Sequence, residues 1–106
     1  MEKEKFDKVV ELIVKQLELK NEFSKKFISQ ALHSIQRFDE KHTEKGLGDF
    51  AEWGAVGVAQ QMDKKFDSIK NHYKGKEKSG DINKEWEDCA VYSLMGKLVE
   101  NNEWYE

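Results

Sequence analysis

No proline occurs anywhere in this 106-residue chain. Helix interiors are therefore never interrupted by a residue that lacks an N–H and clashes with the preceding turn. Strand-type alternation is scarce, and apolar side chains recur instead at three- and four-residue spacing. These features together predict an all-α protein, four-helix bundle-like, with a C-terminal antiparallel helical hairpin. Only glycine and polar clusters are left to end the helices. Two such breaks stand out, His42–Gly48 and Lys74–Gly80.

These breaks, with a third boundary at Asn21 between Lys20 and Glu22, divide the chain into four predicted helices within a single helical domain, residues 1–106. The first runs from about Lys3 to Lys20, with Phe6, Val9, Val10, Ile13 and Leu17 on one face. The second runs from about Glu22 to His42, with a core row of Phe23, Phe27, Ala31, Ile35 and Phe38. Asn21 is positioned to cap it. Leu12, Leu19, Ile28 and Leu32 widen these stripes, which suits either a central helix or a subunit interface. The third runs from about Asp49, a candidate cap, to Tyr73, with Val58, Met62, Phe66, Ile69 and Tyr73 as its core row. The fourth starts near Asp81 or Asn83 and ends near Asn102, with Ile82, Trp86, Ala90, Leu94 and Leu98 along it. Trp104 and Tyr105 follow as an aromatic tail that packs back or anchors a partner.

Composition narrows the function classes. Three Trp, three Tyr and six Phe are too many aromatics for a solvated coil. A formal charge of -3 gives no basic footprint, so general nucleic-acid binding is not expected. The single cysteine, Cys89, excludes an internal disulfide or a multi-cysteine zinc site and reads as a small core residue. No stretch approaches the run of about 20 apolar residues that spans a bilayer, and the N-terminus lacks a secretory apolar segment. A cytoplasmic protein without membrane attachment is expected. His33, His42 and His72 have no mutual metal spacing, and no glycine-rich phosphate loop is present.

Chemistry concentrates where the last two helices face each other. Short connections make neighbouring helices antiparallel. A hairpin centred near Glu77 pairs residues whose numbers sum to about 154, at 3.6 residues per turn. That register sets Asp67 opposite Glu87 and Asp88, with Asp63 and Glu85 a turn away. On the fourth helix, Glu85, Asp88, Tyr92 and Gly96 share a stripe. Carboxylates converging from facing helices are how bundles bind hard divalent cations, which makes Asp63, Asp67, Glu85 and Asp88 the candidate Mg²⁺ ligands. The bland alternative is that Asp63 and Asp67 pair with nearby lysines while the acids of the fourth helix favour its positive end. Gly54, Gly57 and Gly96 inside helices suit either close helix approach or room for a ligand.

The block from Gly57 to Met62, its continuation Phe66-Asp67-Ser68-Ile69-Lys70-Asn71, and the later Asp88–Met95 segment carry a family resemblance. They are similar to the phage and bacterial "nucleotide modification associated" domains, which look like relatives of the MazG-like, all-α nucleoside triphosphate pyrophosphohydrolases. Asp88, Tyr92 and Ile69-Lys70-Asn71 match that pattern; the first two helices lie outside it. Lys64 stands where the family has an acid, Gln61 and Ser68 where it has arginines, and Val91 where it has asparagine.

The resemblance implies attack of metal-activated water on a nucleotide. Asp88 and Glu85 would be catalytic, with Gln61, Lys64, Lys70, Asn71 and Tyr92 binding the substrate, and the site would be built in a homo-oligomer. The rewritten face Gln61, Lys64, Ser68 equally suits a second class: a non-enzymatic, phage-type inhibitor that binds a host defence protein or sequesters a nucleotide signal.

Overall fold

The computed structural model describes residues 2–45, 54–75 and 81–104. They form four helices and no strand: α1 (Lys3–Gln16), α2 (Glu22–Lys45), α3 (Gly54–Tyr73) and α4 (Ile82–Glu100). The all-α expectation holds. Among the described residues, no helix is long and apolar enough to cross a membrane. Asp49, Trp53, most of the Lys74–Gly80 loop and Tyr105 lie outside the described residues.

Local chemistry sets the helix ends. Asn21 caps α2 as expected, its Oδ1 accepting from the Phe23 N–H at 2.8 Å. Asp81 begins α4, accepting from the N–H groups of Asn83 at 3.0 Å and Lys84 at 3.3 Å. α1 ends a turn earlier than the apolar pattern suggests. Glu18 takes a left-handed φ of 54°, and the Leu19 N–H reaches back to the Val14 carbonyl at 3.0 Å. The same closure ends α4, with Asn102 at φ 58° and the Glu103 N–H on the Leu98 carbonyl at 2.7 Å. Gly75, at φ 71°, takes the corresponding place after α3.

The chain divides inside α2 into two compact units, Met1–Gln36 and Arg37–Glu106. In the first, Phe6 and Val10 are buried, and the Phe6 ring stacks on His33 at 4.3 Å. Lys25 pairs with Glu11, tying α2 to α1. The predicted α2 core row does not lie inside this unit. Phe23, Phe27 and Ile35 are 62%, 74% and 50% exposed, and Ala31 is exposed between them. Ile28 and Leu32, which only widened the stripe in sequence, are half-buried instead.

In the second unit, Val58, Ile69, Cys89 and Met95 form the buried core. The end of α2 joins α4 through Arg37, whose Nε lies 3.1 Å from Glu87, and through an edge-on contact of Phe38 with Trp104 at 6.3 Å. Trp104 thus packs back onto the protein. Trp86, Leu94 and Leu98 of the predicted α4 row are exposed, while Cys89 and Met95 are inside. The reason is geometric. A row read every fourth residue winds about 40° further round the helix at each step, because a turn holds 3.6 residues. Starting half-buried at Ile82, the row has reached solvent by Trp86.

Candidate functional site

The α3–α4 register agrees with the expected hairpin. Val58 faces Gly96, Met62 faces Ser93, and Lys65 faces Asp88. A methyl group added at Gly96 would sit 3.7 Å from Val58 Cγ1, which is ordinary contact. Gly96 is therefore not demanded by close helix approach.

The side chain that meets the acids of α4 is Lys65, not Asp67. Its Nζ lies 3.1 Å from Asp88 Oδ2 and 3.5 Å from Glu85 Oε1. All three are largely withdrawn from water, with side-chain exposures between 18% and 29%. Burial works against the Lys65 ammonium, but the hydrogen bond and charge of Asp88, with the charge of Glu85, hold its pKa above the ordinary lysine value. Tyr92, half-buried beside them, has its phenol pushed up chiefly by burial and then by the charge of Asp88, with Lys65 acting in the opposite sense. Burial, followed by the same two carboxylates, also raises the Cys89 thiol, which keeps this core cysteine protonated and unreactive.

The other sequence-predicted residues are placed apart from this cluster. Asp67 is 63% exposed and pairs with Lys70 at 3.4 Å, one turn along α3. Asp63 and Lys64 are exposed, whereas Gln61 and Asn71 are half-buried. Two residues of α3 separate Asp67 from Lys65, a rotation of about 200°, so the two point to opposite sides of the helix. The hairpin thus brings together Glu85, Asp88 and Tyr92 but leaves Asp63 and Asp67 outside. A divalent cation bound by Glu85 and Asp88 would have to displace the Lys65 ammonium that already engages both. Among the described residues, no three His, Cys, Asp or Glu side chains converge as metal ligands.

Lys65 is the residue that sequence reasoning missed. Its signal was its spacing, three residues after Met62 and four before Ile69, where the predicted core row took the exposed Phe66 instead. A lysine in an apolar row calls for a buried carboxylate partner. The chain matches no known protein-family model, no curated protein and no solved structure.

Proposed function

We propose that this chain is a non-enzymatic binding protein that holds a partner protein through the outward row of α2. The observation that carries this reading is the exposure of Phe23, Phe27 and Ile35, spaced with Ala31 at four-residue intervals along one helix. Large apolar side chains left out in a row are the anchors by which a helix enters a groove on a partner. Phe27, at 74% exposure, is the central anchor. The Lys26 ammonium, 4.9 Å from the Phe23 ring centre, gives the row a cationic edge. This fits the inhibitor class drawn from the sequence.

A photo-crosslinker at position 27, used in the source cell, should trap one protein. That protein, purified, should form a stoichiometric complex that Phe27→Asp abolishes without changing the helical circular dichroism. No complex at any concentration tested, or a complex indifferent to Phe27→Asp, would refute the reading.

A second reading is favoured by one observation, the gathering of Glu85, Asp88 and Tyr92 around Lys65. On it, the cluster binds a nucleotide with Mg²⁺, in keeping with the sequence resemblance. Metal bound there would supply Lewis-acid chemistry, and Lys65 would then be free to meet a phosphate oxygen. Pyrophosphate release from a nucleoside triphosphate with Mg²⁺, lost in Asp88→Asn, would favour this reading over the first.

A further inference from the structure

Among the described residues, α3 carries a second exposed face beside its buried Val58 and Ile69, and this face holds Phe66 and Tyr73, which the sequence placed in the core row. Val56, Ala59, Asp63, Phe66, Lys70 and Tyr73 recur at alternating three- and four-residue steps, and all six are exposed. Val56 is 68%, Phe66 41% and Tyr73 65% exposed. The face continues onto α4, where the Trp86 Nε1–H donates to the Tyr73 hydroxyl at 3.1 Å and Trp86 is itself 49% exposed. A seam of this spacing is the pattern by which one helix packs along another.

The order of charges in the seam selects the occupant. Asp63 and Lys70 lie two turns apart, one on either side of Phe66. We infer that this face docks a second copy of the chain, with the two α3 helices antiparallel about a two-fold axis passing between Phe66 and Asp67. In that register Asp63 meets Lys70 of the second copy and Lys70 meets its Asp63. The two Phe66 rings flank the axis, and each Tyr73 covers the partner's small Ala59–Gln60 surface. A parallel pairing would set Asp63 against Asp63 and Lys70 against Lys70, so like charges exclude it. The ion pair of Lys70 with Asp67 does not stand in the way, because exposed pairs of this kind contribute little and exchange readily. This inference rests on α3 and is independent of the α2 reading above.

Sedimentation equilibrium of the whole chain over roughly 1 µM to 1 mM tests it. The expected result is a reversible dimer weakened by added salt. Asp63→Lys and Lys70→Asp should each raise the dimer Kd at least about tenfold, since each reverses charge at two symmetric contacts. The double variant Asp63→Lys/Lys70→Asp should return to within about threefold of the parent. Phe66→Glu should give a monomer with an unchanged helical spectrum. All three positions are exposed, so folding is not at stake. A monomer throughout the range overturns the proposal. So does a dimer that Phe66→Glu leaves intact, or charge reversals whose losses add in the double variant.

Discussion

Lys65 is the side chain on which the interior of the α3–α4 hairpin turns. It supplies one cation to two carboxylates that have left most of their water behind, and its removal leaves both uncompensated. Lys65→Met should therefore lower unfolding free energy by about 1–2 kcal/mol in urea titrations, although methionine fills a similar volume. Lys64→Met, one position away and exposed, should change it by less than about 0.5 kcal/mol. The pH response follows from the same cluster. Lys65 and Tyr92 both hold their protons more tightly folded than unfolded. Their contribution is complete below the unfolded-state values, about 10 for tyrosine and 10.4 for lysine, and is lost as pH rises through the folded ones. Thermal midpoints should thus fall as pH rises above about 10, with the phenolate absorbance of one tyrosine appearing late.

Among the elements, α3 and α4 meet in the register that the loop position implied, and at Gly96 they leave room for a side chain. Gly96 sits in a helix interior with 3.7 Å of clearance from the hypothetical methyl to Val58. Gly96→Ala should accordingly raise stability by about 0.5–1 kcal/mol through helix propensity, seen as a higher thermal midpoint. Gly54 behaves oppositely. Its φ of 69° opens α3 in the left-handed region, with open space around it. Gly54→Ala should cost about 1 kcal/mol from backbone strain alone. The pair separates two reasons for a helical glycine, space and backbone angle, which look alike in a sequence. α2 shows the corresponding ambiguity for apolar rows. Phe23 and Phe27 read as its core, while the residues turned toward cover are Ile28 and Leu32. Both rows are apolar, and nothing within the helix itself distinguishes them.

At the scale of the whole molecule, apolar surface divides between what holds each unit together and what is left for others. Val58 is 1% exposed, so Val58→Ala should cost about 2–3 kcal/mol through lost burial and the cavity left behind. The double variant Phe23→Ser/Phe27→Ser should move the unfolding midpoint in urea by less than about 0.3 M, because these rings are already largely in water. A large loss there would mean that the rings stabilise the fold rather than serve a partner. Among the described residues, two apolar rows lie exposed, one on α2 and one on α3. They have different chemistry: the α2 row bears only aromatic and aliphatic anchors, whereas that of α3 interleaves them with opposite charges.

The helices themselves were legible in the sequence. Without proline, and with glycine and polar clusters at two places and a capping asparagine at Asn21, the chain has few alternatives to four helices. Asn21 and the hairpin register were equally legible, because capping and chain reversal depend on residues close together in sequence, while the start of α4 was narrowed to Asp81 or Asn83. The facing of each helix was not, and with it went the candidate site. A rotation of one residue, about 100°, decides whether Lys64, Lys65 or neither meets Asp88. That choice is made by the partner helix: burying Val58 and Ile69 against α4 carries Lys65 inward and turns Asp67 outward to Lys70.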